Sequence, residues 1–417
     1  MITSLMNTRV LYSAALLLAG AASIASAATV NVTIACSGQI DAAIDSALGM
    51  ISPSGPTDLV ITLSAGDGLC DVSQPHAISG VVSVAFNGPG VGTALFMGGT
   101  QVPRFQVTDG ARFSLNGLTA ESAPRSVVSV TNATLAADNV KFSNNASDQA
   151  GGAIVATGSA VTITHSIFEI NTAALNGAAI AMDGPGTGSL TVSDTRFSNN
   201  QFVSTIGAGG AIYSNGVAVT LNRVLFDTNK SPNNTGGAVY IDGGSLTVRN
   251  STFTGNQAPT GGAISIANPG SGSTLLNNVT MRADSSSSAG SELYVSGTIA
   301  ASAISITNSL IGGTCAGLMS PVAHNSIESP GNTCALPAGT NSVSVADANL
   351  HLSSLSDDGG YTFTFFPQTF SVLIDSGGND CESVDQRNYK RDVGACDVGA
   401  VEAGAIDRIF AGSFELN

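Results

Sequence analysis

The 417-residue chain lacks tryptophan and is poor in charge, with 14 Lys and Arg against 29 Asp and Glu. Its only lysines are Lys141, Lys230 and Lys390. The formal net charge is −15, and it becomes −16 once residues 1–27, which contain Arg9, are set aside. Nucleic acids and anionic membranes attract basic surfaces, so the composition argues against both as partners.

Long hydrophobic runs are equally scarce. The apolar stretch Val10–Gly20 follows Arg9 and precedes the small-residue site Ala25-Ser26-Ala27, an order typical of a secretory signal peptide. We therefore predict a signal peptide over 1–27, a mature chain from near Ala28, and no transmembrane segment in that mature chain. Disorder is disfavoured because 43% of the residues are hydrophobic and their pattern is regular.

What the chain does have is a repeat built on Phe-x-x-Asn. The five copies are Phe142–Asn145, Phe168–Asn171, Phe197–Asn200, Phe226–Asn229 and Phe253–Asn256. The Phe positions step by 26, 29, 29 and 27 residues. A period between about 20 and 50 residues is the signature of a stacked-repeat architecture.

A Gly-Gly-Ala-aliphatic phrase follows each copy, beginning at Gly151, Gly209, Gly236 and Gly261, with the variant Gly177-Ala178-Ala179-Ile180 after the second. Short alternating runs such as Leu190-Thr191-Val192 precede each Phe. Helical spacing over 10–12 residues is absent from the repeat, which excludes helical solenoids. The sequence predicts an all-β fold, a right-handed single-stranded parallel β-helix over 71–314, with its regular repeats over 135–281.

The repeat period predicts two internal ladders of stacked side chains. Stacked turns lie about 4.8 Å apart, so equivalent residues pile on one another. The first ladder comprises Phe142, Phe168, Phe197, Phe226 and Phe253, continued by Met281. The second comprises Asn145, Asn171, Asn200, Asn229 and Asn256, whose amides would bond to neighbouring turns.

Phe-x-x-Asn followed by Gly-Gly-Ala-Ile resembles the repeats of the chlamydial polymorphic outer membrane protein family. The resemblance covers residues 135–281 and implies a right-handed β-helix displayed on a cell surface. Proteins of that family also carry a C-terminal membrane β-barrel, for which this sequence shows no room, so any anchoring is expected to differ.

The segments flanking the repeats resemble other secreted β-helix proteins. Residues 28–70 form an expected N-terminal cap with a short helix from Gln39 to Met50, similar to the CSLREA domain in its Cys36, Ala43-Ile44 and Asp58. Residues 315–403, ending in Cys396-Asp-Val-Gly-Ala-Val-Glu402, resemble the choice-of-anchor Q module. The tail, 404–417, looks like that of gammaproteobacterial exported proteins, which implies the outer surface of a Gram-negative bacterium or its surroundings.

Six cysteines lie outside the repeat block, an even number that reads as disulfides in a secreted chain. Sequential pairing is the simplest arrangement, with each bond closing a loop at one end of the solenoid: Cys36–Cys70, Cys315–Cys334 and Cys381–Cys396. A metal site is disfavoured because there is no Cys-x-x-Cys motif and no His near a Cys.

Charged residues at equivalent positions of successive repeats would be the candidates for catalysis, because stacking brings them together. Glu169 and Asp227 share the position after Phe, two turns and roughly 10 Å apart; we expect both to be solvated turn carboxylates. The arginines Arg196, Arg223 and Arg249 fall at three phases, and the histidines His76, His165, His324 and His351 lack Asp or Glu at ligand spacing. Asp385, Arg387 and Arg391 are expected to form a structural ion pair. We therefore predict no catalytic, cofactor or metal residue.

The expected function is display of a surface for adhesion, or for binding carbohydrate or another cell-surface partner, by a monomer without cofactors. The rival is a polysaccharide lyase or glycoside hydrolase acting on acidic polysaccharide, since such enzymes use β-helices. A third idea is an ice- or lattice-binding strip formed by Thr162/Thr164, Thr191/Ser193, Thr220/Asn222 and Thr247/Arg249, which Asn222 and Arg249 would interrupt.

Overall fold

The computed structural model describes residues 29–52, 54–55, 57–64, 70–92, 94–184, 186–268, 272–297, 303–318 and 320–405. They form a parallel β-solenoid of about ten turns with three sheet faces, so the predicted all-β, parallel β-helix fold is confirmed. The predicted signal peptide and residues 406–417 of the tail lie outside the described residues.

The first face holds the alternating strands that precede each phenylalanine. Its side chains alternate between the core and the outside, as a half-buried strand requires. Its strands are Thr29–Ala35, Asp58–Ser64, Ser83–Asn87, Arg112–Glu121, Thr134–Ser143, Ala160–Thr164, Ser189–Ser193, Ala218–Asn222, Leu246–Arg249, Thr274–Asn277, Ile304–Thr307 and Val322–His324.

The second face, called the phenylalanine face, is joined to the first because Arg112–Glu121 and Thr134–Ser143 run through both. Its other strands are Gly38–Gln39, Cys70–Asp71, Ala94–Phe96, Ile167–Glu169, Arg196–Ser198, Leu225–Asp227, Thr252–Thr254, Thr280–Arg282, Leu310–Gly312 and Ile327–Glu328. In most other turns, a residue in the left-handed conformation bends the chain between the two faces. These corner residues include His165, Asp194, Arg223, Asn250, Asn278, Asn308 and Asn325.

The third face, called the ten-stranded face, follows the Gly-Gly phrases. Its strands are His76–Ser79, Phe105–Thr108, Val128–Thr131, Ile154–Thr157, Ile180–Asp183, Ile212–Asn215, Val239–Asp242, Ile264–Ala267, Leu293–Val295 and Cys315–Ala316. Two small sheets lie at the turns, from Ala146–Ser147, Thr172–Ala173 and Gln201–Phe202, and from Gln257–Thr260 and Ser285–Ala289. Helical elements within the described ranges include Asp41–Leu48 and the 3₁₀ turn Asp347–Leu350.

The phenylalanines of the repeat stack inside the solenoid. Strand register pairs Phe142 with Phe168, and the order continues to Phe253, Met281 and Ile311. Neighbouring rings of the five phenylalanines lie 4.6–4.8 Å apart, nearly parallel, and all are buried. The spacing of the rings equals the rise of the turns, so each ring contacts the ring above and the ring below.

The asparagines form a second internal column, at the turn after the phenylalanine face. In each of the five, Nδ2 donates to a backbone carbonyl of the preceding turn and to a side-chain oxygen of the following turn. That same oxygen accepts the asparagine's own backbone N–H, as between Asn200 and Asn229. The column satisfies buried polar groups that no strand reaches.

At the N-terminal end, parallel pairing starts in the strand Thr29–Ala35, and the helix Asp41–Leu48 buries Ile44 and Ala47 against the first turns. The helix bounds lie within the predicted Gln39–Met50. At the other end, parallel pairing continues to Ile327–Glu328. Parallel strand pairing therefore extends beyond both ends of the range 71–314, in which we expected the solenoid.

The predicted module over 315–403 contains the Cys381–Cys396 bond, which we expected to close a loop at one end of the solenoid. The structure instead places residues 347–405, called the flank segment, along the side of the solenoid. Asn278 donates to the carbonyls of Asp397 and Gly399, and Asn308 accepts from the N–H of Gly378. The ring of Tyr361 lies 4.3 Å from that of His165, several turns further back. The reason is a second small core, formed by Leu310, Ile327, Leu350, Leu373 and Val398, that covers outward apolar positions on the phenylalanine face.

Candidate functional site

The ladder residues lie inside the solenoid, so a binding or catalytic site must use outward side chains. The three disulfides also serve the framework: Cys36–Cys70, Cys315–Cys334 and Cys381–Cys396 are bonded, and no cysteine is free. The third bond lies in the flank segment, so the expectation that each bond closes an end of the solenoid is wrong for Cys381–Cys396.

Glu169 and Asp227 are not the solvated carboxylates we expected. Lys141 Nζ lies 2.7 Å from Glu169, and Arg196 Nη2 lies 3.0 Å from Asp227. Register explains both pairs, because Lys141 and Arg196 precede the phenylalanine in the turn before each carboxylate. The two acids therefore each hold a cation and do not face a common substrate position.

We expect the double change Glu169→Gln and Asp227→Asn to cost less than about 1 kcal/mol per pair, because both pairs are partly exposed and screened by solvent. Urea unfolding at neutral pH measures this. The matched variants Lys141→Met and Arg196→Met should cost similar amounts, with no further loss when both members of a pair are changed. A loss of several kcal/mol would contradict this view of the pairs.

The histidines also depart from the expectation that they lack acidic partners. His76 is buried, with Nε2 3.0 Å from Asp41 and Nδ1 2.8 Å from Asp45. Although burial raises the pKa of Asp41, hydrogen bonds from the N–H groups of Gln74 and Ser73 hold it below its usual value. His165 likewise contacts Asp138 at 2.8 Å. The His76 cluster ties the cap helix to the ten-stranded face, so its role is structural.

Two ion pairs of the flank segment are buried. Arg387 binds Asp385 at 2.6 Å, as expected, whereas Arg391 contacts Glu402 at 3.3 Å. Burial raises the pKa of Glu402 to about 7. Arg391 also donates to Asn250 at a corner of the solenoid. Arg391 thereby joins the segment to the solenoid, and the side chains of both ion pairs are buried.

The Thr positions share one register on the outside of the first face, from Thr162 through Thr191 and Thr220 to Thr247. Asn222 and Arg249 occupy the neighbouring row, and Arg249 pairs with Glu382 of the flank segment. The hydroxyl strip is therefore interrupted on one side by a charged contact.

A stacked pair of tyrosines, which the pattern of charged residues does not reveal, lies on the ten-stranded face. Tyr213 and Tyr240 occupy the same outward register, and their rings stack 5.6 Å apart. The next outward row holds Asp183, Asn215 and Asp242. Asn215 donates to Asp183, and Asn268 donates to Asp242. We call Asp183, Tyr213, Asn215, Tyr240 and Asp242 the tyrosine face.

Electrostatics keeps the tyrosines as hydrogen-bond donors. Burial, reinforced by the charge of Asp242, raises the pKa of Tyr240 to about 12, and burial raises that of Tyr213. The sequence signal for this face was present: the Gly-Gly-Ala-aliphatic phrase is followed by Tyr in two successive copies, at Tyr213 and Tyr240.

The polar contacts of segment 347–405 described above go to the first face, the phenylalanine face and the corner between them. The tyrosine face belongs to the ten-stranded face, to which none of these contacts goes. Among the described residues, three His, Cys, Asp or Glu side chains nowhere converge as a metal site would need. The same residues contain no helix long and apolar enough to cross a membrane.

Comparison with known proteins bears on the repeats alone. No curated protein shows significant sequence similarity to the chain. Two stretches, residues 139–157 and 250–267, match the Chlamydia polymorphic membrane protein repeat. Each runs from the end of a strand through the Phe-x-x-Asn turn to the ten-stranded face. In these repeats the chain is similar to surface-presented β-helix proteins.

Proposed function

We propose that this is an exported, non-enzymatic surface protein whose tyrosine face binds carbohydrate or a glycosylated partner, as in adhesion. The parallel β-helix, its repeats and three disulfides fit an extracytoplasmic surface protein. The proposal includes the signal peptide over 1–27, the CSLREA-like cap over 28–70 and the choice-of-anchor Q-like module over 315–403.

The observation that carries the binding role is the combination on one face of aromatic rings and planar polar groups. Tyr213 and Tyr240 present ring edges and hydroxyls, while Asp183, Asn215 and Asp242 present carboxylates and an amide within one or two turns. Sugars are bound through apolar ring surfaces and fixed hydrogen-bond partners of this kind. The rigid solenoid holds these groups in register, which reduces the entropy lost on binding.

We expect the mature protein to bind a subset of immobilised glycans and Tyr213→Ala/Tyr240→Ala to weaken that binding at least tenfold, about 1.4 kcal/mol. A glycan array, followed by titration of the best ligand, measures both. Tyr361→Ala, which removes an exposed tyrosine from the flank segment, is the matched control and should bind like wild type. Equal binding by all three proteins would remove the tyrosine face from the proposal.

The enzyme alternative has one observation in its favour. Asp183 and Asp242 share a register two turns apart, roughly 10 Å, near the separation used by inverting glycosidases. Incubation with pectin, alginate and related polyuronides should release no product if the protein only binds. Product that disappears in Asp183→Asn/Asp242→Asn would replace the binding proposal with a hydrolase.

A further inference from the structure

The turn that follows the last Phe-x-x-Asn copy departs from the repeat at two positions. Asp284 stands where the earlier turns have asparagine, since it follows Met281 as Asn256 follows Phe253. Glu292 stands where they have the alanine of Gly-Gly-Ala, because Leu293 is in register with Ile264. Both replacements introduce a carboxyl group into positions that are buried in every regular turn.

These two carboxyl groups meet inside the protein with little to neutralise them. Asp284 and Glu292 are both buried. Asp284 Oδ1 accepts from the backbone N–H of Asn256 at 2.6 Å and from its Nδ2 at 2.8 Å. The two side chains lie close enough to hydrogen-bond each other, and the backbone N–H of Asp284 acts on the carboxyl group of Glu292. No other donor among the described residues reaches Asp284 Oδ2 or the oxygens of Glu292. A buried acceptor without a donor is costly, and a buried bare carboxylate is more so.

The asparagine column shows what Asp284 Oδ2 must replace. In the turn before it, Asn256 Nδ2 donates to the carbonyl of Phe226 at 3.0 Å, and each earlier asparagine does the same one turn back. The corresponding carbonyl for Asp284 is that of Phe253. An ionised carboxylate has no proton with which to make the equivalent bond. A protonated carboxyl group would donate there, as the amide does.

We propose that Asp284 and Glu292 form a buried proton-sharing pair, in which a protonated Asp284 completes the asparagine column. The pair makes this turn, at the junction between the regular repeats and the C-terminal turns, lose stability as the pH rises from acid to neutral.

The surrounding charges agree with retained protons. Burial raises the pKa of Asp284 to about 7, and Asp227, two turns back, adds to the rise. Burial and the neighbouring Asp284 raise the pKa of Glu292 well above its usual value. Arg282 is the cation that acts on Glu292, and it is engaged with Asp347 at 3.0 Å. The pair therefore keeps protons that an exposed pair would have lost.

A cation in place of the proton fits the packing less well. A Cβ atom added to Gly313 would lie 2.3 Å from Glu292 Oε1 and 2.4 Å from Ser291 Oγ, so backbone already lies against the carboxyl group. Calcium needs six to eight oxygen ligands at about 2.3–2.6 Å, and two carboxyl groups enclosed this closely offer too few.

The sign of the pH effect follows from the folded and unfolded states. Both carboxyl groups ionise near pH 4 in the unfolded chain, whereas the folded protein holds Asp284 protonated up to about pH 7, and burial with the neighbouring Asp284 raises the pKa of Glu292 well above its usual value. Between these limits the folded state binds more protons, so stability falls as pH rises. The unfolding equilibrium constant should rise about tenfold per pH unit for each such proton.

The test compares unfolding midpoints of the full mature chain from pH 5 to 9. Asp284→Asn and Glu292→Ala restore the repeat residues, and the double variant is expected to lose the decline in stability that wild type shows as the pH rises from 5 to about 7. Asp284→Asn alone should be more stable than wild type at pH 8, because an amide donates without a proton. Asp148→Asn, at an exposed carboxylate, is the matched control and should follow the wild-type curve.

Infrared difference spectroscopy gives a second readout that does not depend on stability. Wild type at pH 6 should show the carbonyl band of a protonated carboxylic acid, which fades at alkaline pH and is missing from the double variant. Parallel stability curves for wild type and double variant, or no acid band in wild type, would overturn the proposal. Stabilisation of wild type alone by millimolar calcium, reversed by chelation, would overturn it in favour of a cation site.

Discussion

Replacing Phe197 with Ala is expected to lower the free energy of unfolding by about 3–5 kcal/mol, the range for buried aromatic side chains. The ring of Phe197 is fully buried and stacks on Phe168 and Phe226, each 4.8 Å away. Its removal leaves a cavity inside a column of parallel strands that cannot close independently of its neighbours. Chemical unfolding of the mature protein, followed by circular dichroism, measures the loss.

Phe370→Ala is the matched control, because Phe370 is 85% exposed. It should change the free energy of unfolding by no more than about 0.5 kcal/mol, as is usual for surface positions. A similar result for Phe197→Ala would mean that the rings do not carry the stability of the solenoid, and the repeat would need another explanation.

The fold class was predictable because every turn of a solenoid repeats the same sequence pattern and the same local structure. A sequence period of about 27 residues, period-2 alternation and a fixed Phe-x-x-Asn turn leave few ways to stack the chain. Register then follows from phase, as in the pairing of Phe142 with Phe168. Local pattern therefore determines long-range contacts here, which it does not do in most folds.

The parts outside the repeat were less predictable, because their contacts are not periodic. His76 meets Asp41 and Asp45 only through the packing of the cap helix, which no spacing rule gives. The flank segment binds corner residues such as Asn278 more than 100 positions earlier in the chain. The outward apolar position Leu310 was the one sequence signal for that docking, since a solvated turn would not need a leucine there.

The Asp284–Glu292 pair was visible as two deviations from the repeat but not as a contact. Alignment of Met281–Asp284 with Phe253–Asn256 gives the first deviation, and alignment of Gly290–Leu293 with Gly261–Ile264 gives the second. Nothing in the sequence says that the two side chains meet. The structure supplies this, because it brings the Asp284 and Glu292 side chains within hydrogen-bonding reach of each other.

Replacing Asn200 with Leu is expected to destabilise the protein by at least about 3 kcal/mol. Asn200 Oδ1 accepts from the backbone N–H and Nδ2 of Asn171, and its own Nδ2 donates to the carbonyl of Phe168. Leucine has a similar volume and fills the space, so water cannot enter to replace these bonds. The backbone N–H of Asn171 and the carbonyl of Phe168 would then lose these partners, at about 1–3 kcal/mol each, and Asn171 Nδ2 would keep only its bond to the carbonyl of Phe142. Equilibrium urea unfolding is the measurement.

Asn233→Leu makes the same chemical change at an exposed asparagine and should have little effect on stability. Hydrogen exchange locates the damage: the backbone N–H of Asn171 loses its acceptor and should exchange faster in Asn200→Leu, while that of Asn256 should keep its protection. If the leucine variant unfolds at the wild-type urea concentration, then the column contributes no net stability. Its persistence over five turns would then reflect selection of one register among possible strand pairings, because a slipped turn could not satisfy the amides.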